Sequence, residues 1–446
     1  MIVLVYWYPS VNNLNKDSNW RLVWNMVNSI KNKNISWLIN KPKQFGEIGN
    51  EYKKENVMFY ETEHNLGRMN SVFMGRWEWV DRIKRELPVD IIWNNLVEVS
   101  DIFSFTFDTN LERIPVIGQH HYVMHKSLGS LMFNKQVMYR QILGAIMSDM
   151  NIFHSGHAFN MFRESVEESG LRVNIRATYV PLMVFTDKFR ETLKNAKIKK
   201  EGIPKLIYNH RLESYKNYTS TFQKLDEIYR EGYKFEMYVT YGKDRPAFIK
   251  RYEWAKTVDL PRWEDYIELL CNCDLGVLES NHETFCISAV EAMGCGVKMY
   301  MPNAITFEEI KNDRAVLFDR DWREDFKRDL REIDRIRNEK RDDKYLERFG
   351  EGVSRRFEDV LLSEYRNKVG LPEKKDLRDY LKKNIKETFF DKLYNEFIED
   401  MGIGLQACPP FVFSRYLTAL GYTVNILNGE FIISKLDGIS NISDKK

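Results

Sequence analysis

The densest concentration of reactive side chains in this 446-residue chain lies between Leu278 and Val297, LESNHETFCISAVEAMGCGV. Its pattern is a buried strand, a polar turn and a helix that starts near Phe285–Ser288 and ends at Gly294 and Gly296. A helix that begins at the carboxyl edge of a sheet offers unpaired backbone N–H groups and a positive dipole end, which suits a diphosphate. Glu283 sits on the turn and Glu291, eight residues on, about two helical turns along, so both can line one crevice. The plainer alternative is a helix with two glutamates facing solvent. Upstream, YNHRLESYK (Tyr208–Lys216) follows a strand and carries Arg211 and Lys216 five residues apart on a loop-to-helix turn. Cations so placed can stabilise charge that builds on a leaving group, although loop Arg and Lys are more often simply solvated.

Histidines form a second group. His120, His121 and His125 follow a short strand in GQHHYVMH, and His154 and His157 follow another in FHSGH. Strand ends of this kind face a crevice, which makes His120, His121 and His154 candidates for the acceptor side. His282, next to Glu283, is a candidate for the same pocket. His154 and His157 could ligate a metal ion, but no Asp or Glu partner pattern supports it, so no metal is expected. Cys271, Cys273, Cys286, Cys295 and Cys408 contain only a C-x-C and are read as reduced thiols of a cytoplasmic protein.

The elements that would position these groups alternate along the chain. Strands are expected at Ile2–Tyr6, Ile35–Ile39, Val57–Tyr60, Asp90–Trp93, Val116–Ile117, Asn151–Phe153 and Thr178–Val180. Helices are expected at about Ser18–Lys31, Arg76–Glu86 and Met138–Met147. After the basic stretch Lys194–Gly202, taken as a linker, strands at Lys205–Tyr208, Phe235–Thr240, Leu275–Leu278 and Val297–Met301 alternate with helices at Ser220–Glu231, Glu264–Cys271 and Cys286–Met293. Short apolar strands between helices predict two doubly wound parallel sheets. The domains follow as 1–190, 203–366 with charged trailing helices, and a third segment at 371–436. Hydrophobic residues make up 43% of the chain, enough for real cores. The net charge of +2 neither demands nor excludes an anionic partner. The N-terminus lacks the basic region of a signal peptide, and no run of about 18 apolar residues predicts a membrane span.

The segment around Glu283 resembles the E-x7-E motif of retaining GT-B glycosyltransferases (the family 4-like group), usually close to P-S-x-x-E-x-F-G-x-x-x-x-E-A-M-A-x-G-x-P. The resemblance implies two Rossmann-like domains facing across a cleft. Glu283 would bind hydroxyls of the donor sugar, and Glu291 the nucleotide ribose. The N–H groups at Phe285, Cys286 and Ile287 would hold the diphosphate, with Arg211 and Lys216 clamping it. His120, after Gln119, is similar to a strand–His turn near the reacting carbon. The implied donor is a nucleotide sugar, UDP-glucose or another UDP-sugar, with no tightly bound cofactor. Retention would arise by front-face attack, the departing phosphate taking the acceptor's proton. Cys286 stands where glycine is usual, and Val297-Lys298 where valine-proline is. The loop after the first strand, WYPSVNN, lacks the usual Gly-Gly pair; Asn12 and Asn13 can take that role because Asn tolerates left-handed backbone.

From Leu371 the pattern changes to helices at Phe389–Asp400 and about 410–420 and a hairpin, Tyr422–Leu427 and Glu430–Ile433, around Asn428-Gly429. This loosely resembles a winged-helix module whose second helix would offer Ser414, Arg415 and Thr418 to double-stranded DNA. Phage enzymes that glucosylate hydroxymethylated bases are GT-B proteins with a similar strand–QH turn. A hydroxymethylated base in phage DNA, in a host cytoplasm, is therefore one expected acceptor. Against it, residues 371–446 hold eleven Lys/Arg and eleven Asp/Glu, whereas nucleic-acid modules usually run basic. A helical cap is the alternative for this segment. A carbohydrate, lipid-linked or protein acceptor, or a non-catalytic GT-B binding protein, is the alternative for the whole chain.

Overall fold

The computed structural model describes residues 1–370 and the strand pair 422–427 and 430–435. Short breaks fall at 12–13, 15–16, 64–66, 75–76, 108–113, 130–131, 172, 261 and 304–305, and 366–370 are described as backbone only. Asn12, Asn13, Ser414, Arg415, Thr418, the two expected helices after Leu371 and the Asn428-Gly429 turn lie outside the described residues.

The first sheet contains β1 (Ile2–Tyr6), β2 (Ser36–Pro42), β3 (Val57–Thr62), β4 (Ile91–Asn94), β5 (Val116–His120), β6 (Met150–Phe153) and β7 (Ala177–Tyr179) in the order β3-β2-β1-β4-β5-β6-β7. The second contains β8 (Lys205–Tyr208), β9 (Glu236–Val239), β10 (Ala255–Thr257), β11 (Leu275–Val277), β12 (Lys298–Pro302) and β13 (Val316–Phe318) in the order β10-β9-β8-β11-β12-β13. Every strand pair in both sheets is parallel. Continuous apolar runs such as Val3–Val5 are 0% exposed because helices cover both faces. The sequence pattern misses β10 and β13, which have three residues each and sit at sheet edges, too short for a periodic signal. The strands Tyr422–Leu427 (β14) and Glu430–Lys435 (β15) pair antiparallel with each other, as expected for a hairpin.

In each sheet one neighbouring pair marks the point where strand order reverses: β1 beside β4, and β8 beside β11. Loops leaving such a pair diverge and open a crevice at the carboxyl ends. The loop after β1 is fixed by one carboxylate. Asp17 Oδ1 caps the helix Ser18–Ser29 by accepting from the Asn19 and Trp20 amides at 2.9 and 3.0 Å, while Oδ2 accepts from the Ser10 and Val11 amides at 2.6 and 3.1 Å.

Two segments depart from the expected domain boundaries. The helix Asp187–Asn195 precedes the stretch read as a linker, yet its Phe189 and Leu193 are buried in the core of the second domain. Basic residues 197–200 lie against that domain, the Lys199 amide donating to Asn272 Oδ1 at 2.6 Å. The chain instead crosses between domains at 180–185: Val180 and Met183 belong to the first core, Val184 and Phe185 to the second. The last helix, Glu351–Gly370, crosses back. Its Val353, Phe357 and Leu361 join the first core, and Glu364 pairs with Arg176 at 2.8 Å. The two crossings touch, the Val184 and Phe185 amides donating to the Phe349 carbonyl at 2.9 and 3.1 Å. Gly350 permits this approach, since a Cβ there would stand 2.7 Å from the Phe185 carbonyl oxygen. The sequence marks this stretch as a charged trailing helix with a solvated face, whereas one face of it is buried.

Phe357 is fully buried with its ring 4.5 Å from that of Trp93. Phe357→Ala is expected to destabilise the first domain by about 3–5 kcal/mol. Urea unfolding followed by tryptophan fluorescence would register this as an earlier transition of the first domain.

Candidate functional site

The loops after β8 and β11 meet where the second sheet reverses. Beyond β11, residues 278–286 lead into the helix Ile287–Gly294. Cys286, the residue before that helix, adopts φ 67° and ψ 67°, one of two non-glycine residues with positive φ among those described. This conformation is costly for a side chain. The thiol is nevertheless buried, with Sγ 3.8 Å from Ser288 Oγ, and burial pushes it up to about 12, so it is a neutral packing group. Among the described residues, the N–H groups of Phe285, Cys286, Ile287 and Ser288 donate to no protein acceptor.

Charged side chains flank this row of donors. Lys216 is buried and ion-paired with Glu283 Oε1. Burial pulls the Lys216 ammonium down, but the Glu283 carboxylate together with Cys286 and Tyr215 beside it outweighs burial, and the net shift is upward. Arg211 remains largely exposed, paired with Glu213 at 2.9 Å and donating to the Tyr215 hydroxyl at 3.3 Å. The two loops are stitched together by the Asn281 amide on the Tyr215 carbonyl at 2.8 Å. At the other end, Glu291 is buried, which raises its carboxyl, and it accepts from the Tyr266 hydroxyl at 2.8 Å. Asn209 donates to that hydroxyl at 2.9 Å, and His210 Nδ1 lies 2.6 Å from Ser288 Oγ. Buried atoms without a partner face this region: Asn209 Oδ1, His210 Nε2 and His282 Nε2. Sequence reasoning placed Glu283, Glu291, Arg211 and Lys216 together; in the structure Lys216 pairs with Glu283, while Arg211 pairs with Glu213 and Glu291 is held by Tyr266. It missed Tyr266, Asn209 and His210, which carry no spacing signal.

The first domain closes the other wall. His120, at the end of β5, points away from the cleft: it is 0% exposed, stacked on Phe153 with ring centroids 4.1 Å apart, and its Nε2 lies 3.0 Å from Asn151 Oδ1. Strand alternation therefore turns the next residue, His121, toward the second domain. His121 Nδ1 lies 3.1 Å from His154 Nε2, its Nε2 lies 3.0 Å from Asn95 Oδ1, and its carbonyl accepts from Thr284 Oγ1 at 3.1 Å. Glu98 is buried behind this wall, ion-paired with Arg68, whose guanidinium lies 5.0 Å from the centre of the Tyr122 ring. Tyr122 in turn stands 5.6 Å from the His282 ring, so this wall of the first domain reaches the turn that carries Glu283. Arg21 reaches across from the helix Ser18–Ser29, 3.7 Å from Glu291 and 4.7 Å above the Trp263 ring. Among the described residues no group of three or more His, Cys, Asp or Glu is arranged to hold a metal ion. No helix among them is long and apolar enough to cross a membrane.

Residues 189–351 match the family described as glycosyl transferases group 1. The chain is a glycosyltransferase by its second domain. Solved structures with the same two-sheet arrangement include sucrose-phosphate synthase from Thermosynechococcus elongatus, at TM-score 0.61 and 11% identity over 81% of this chain and 98% of that one. HepE of Anabaena, in complex with UDP and glucose, gives 0.57 and 14% over 81% and 100%. A UDP-forming α,α-trehalose-phosphate synthase from Burkholderia xenovorans gives 0.56 and 11% over 83% and 99%. At these identities the likeness speaks for fold alone, and that fold is GT-B-like. The fold resemblance extends through both domains of the glycosyltransferase, whereas the family match covers the second.

Three histidines around the cleft are buried neutral: burial lowers His120 and His282 to about 3 and His154 to about 4. Unfolded, each returns to about 6.5. Between those values the unfolded chain holds more protons, so stability falls as pH drops from about 6.5 toward about 4. The slope is at most about 1.4 kcal/mol per pH unit for each group. Urea midpoints measured from about pH 7.5 down to about pH 4.5 should fall, and His120→Asn should flatten the dependence by one histidine's share.

Proposed function

We propose that this enzyme transfers a sugar, with retention of configuration, from a nucleoside diphosphate sugar to a hydroxyl acceptor. One observation carries the reading: four unpaired N–H groups at residues 285–288 lie between the Lys216–Glu283 pair and the Tyr266–Glu291 pair. A diphosphate on those N–H groups, with Arg211 and Lys216 beside it, leaves a sugar at Glu283 and a ribose at Glu291. A UDP-sugar is the preferred donor, since the similar HepE structure holds UDP and glucose and the similar Burkholderia enzyme is UDP-forming.

Glu283 is tied to Lys216, which makes it a poor nucleophile and a good hydroxyl acceptor. The acceptor oxygen then bonds to the anomeric carbon on the face from which the phosphate leaves. The C–O bond to phosphate breaks, and the acceptor's proton passes to the departing phosphate oxygen. Lys216, Arg211 and the helix N-terminus stabilise the charge on that phosphate. His121, with its carbonyl at the cleft and its ring between Asn95 and His154, stands nearer the reacting carbon in this reading than His120, which serves the core. Glu98 and Arg68 form the floor of the acceptor side.

The hydroxymethylated-DNA acceptor has no support among the described residues, because the segment that would bind a duplex lies outside them and its charges balance. The acceptor is proposed only as a hydroxyl, with carbohydrates first in order because the similar enzymes are named for disaccharide phosphates.

The test incubates the purified chain with UDP-, GDP- and ADP-sugars. Acceptors are plain and phosphorylated sugars and duplex DNA carrying 5-hydroxymethyl pyrimidines. Release of UDP together with a one-sugar mass gain on one acceptor is expected. Glu283→Gln should cut turnover by about 100-fold or more, and Glu291→Gln should raise the donor KM. Release of no nucleoside diphosphate from any donor would end this reading.

A further inference from the structure

The loop that carries Glu283 is held chiefly from the other domain. The Thr284 carbonyl accepts from Ser155 Oγ at 2.7 Å, and Thr284 Oγ1 donates to the His121 carbonyl at 3.1 Å. His282 Nδ1 lies 2.8 Å from Ser127 Oγ. These three bonds cross from the second domain to the first and bracket Glu283 on both sides. Within its own domain, the hydrogen bonds of 282–284 to described residues are the Glu283 pair with Lys216 and the Ser280 hydroxyl on the His282 carbonyl at 3.1 Å. Ser155 is itself fixed, since its Oγ accepts from the Ala158 amide at 2.9 Å at the start of the helix Gly156–Glu168. That helix start is also clamped from the second domain, Glu309 accepting from the Gly156 and His157 amides at 2.7 and 2.6 Å.

We propose that Thr284 is a positioning residue: through Ser155 and the His121 carbonyl, the first domain sets the sugar end of the donor pocket, which is incomplete until the two domains are docked. The proposal rests on the donor reading above, with Glu283 on the sugar. The diphosphate end stands apart from this device, because residues 285–288 are supported by the helix Ile287–Gly294; Glu291 is hydrogen-bonded by Tyr266 within the second domain and approached by Arg21 of the first at 3.7 Å, neither contact involving Thr284. Thr284 therefore affects affinity for the sugar and not for the nucleotide.

Thr284→Val keeps the shape and removes the hydroxyl, and Thr284→Ser restores it. Calorimetry with UDP and with UDP-glucose as the probe should show Thr284→Val binding UDP within about twofold of wild type. UDP-glucose affinity and turnover should fall about five- to tenfold, and Thr284→Ser should recover most of that loss. Equal weakening of both ligands, no change in either, or a Thr284→Ser variant as impaired as Thr284→Val would overturn the proposal. A ligand-free measurement separates it from the donor reading. In Thr284→Val, exchange of the Asn281 amide, which donates to the Tyr215 carbonyl at 2.8 Å in the same loop, should quicken about fivefold. Unchanged exchange there overturns the positioning role whatever the ligands do, whereas a wild type that binds neither nucleotide overturns the donor reading alone.

Discussion

A diphosphate can be held without a metal only where several N–H groups lack partners, and a folded chain rarely leaves them so. In this protein that constraint is met at the reversal between β8 and β11, where a loop leaves the sheet and a helix begins pointing its N-terminus into the opening. The remaining features follow from the place. Lys216 and Arg211 arrive on the loop from the neighbouring strand, Glu291 comes about one turn into the helix, and Glu283 lies on the approach. The core beneath, with Leu278, Phe285, Ala289 and Val290 buried, holds the helix in place.

Electrostatics in the crevice are arranged by pairing. Lys216 and Glu283 are both buried, and either left alone would carry a heavy desolvation penalty. Paired, they hold each other in place. Glu291 has weaker company, a tyrosine hydroxyl and an Arg21 guanidinium at 3.7 Å, so burial raises its carboxyl. The difference fits the proposed tasks: one carboxylate locked as an acceptor for hydroxyls, the other adaptable. Cys286 adds a local cost of about 1–3 kcal/mol as a side chain in left-handed backbone where glycine would be at ease. The surrounding core offsets it by burying the thiol.

Much of this was legible in the residues themselves. Eleven of the thirteen strands of the two large sheets lie where short apolar runs alternate with amphipathic stretches, because a parallel strand covered on both faces must be apolar throughout. The pair Glu283 and Glu291 was legible because helical periodicity fixes their separation regardless of what surrounds them. The domain crossings were not. Phe189 and Leu193 sit in a short charged helix, and Val353, Phe357 and Leu361 in a long one, and nothing local says which core an apolar stripe will join. His120 illustrates the same limit: one residue of strand register decides whether a side chain meets Phe153 in the core or His154 at the cleft.

By itself, the sequence determined the parallel double-sheet architecture and the placing of Glu283 just before, and Glu291 within, one helix, since both follow from patterns within about twenty residues of one another. Only the tertiary structure decided that His121 faces the cleft, that Arg21 reaches Glu291 and that Thr284 is held by Ser155 and the His121 carbonyl. Those contacts join residues more than a hundred positions apart. They depend on how two separately folded cores are docked, a quantity no local pattern encodes.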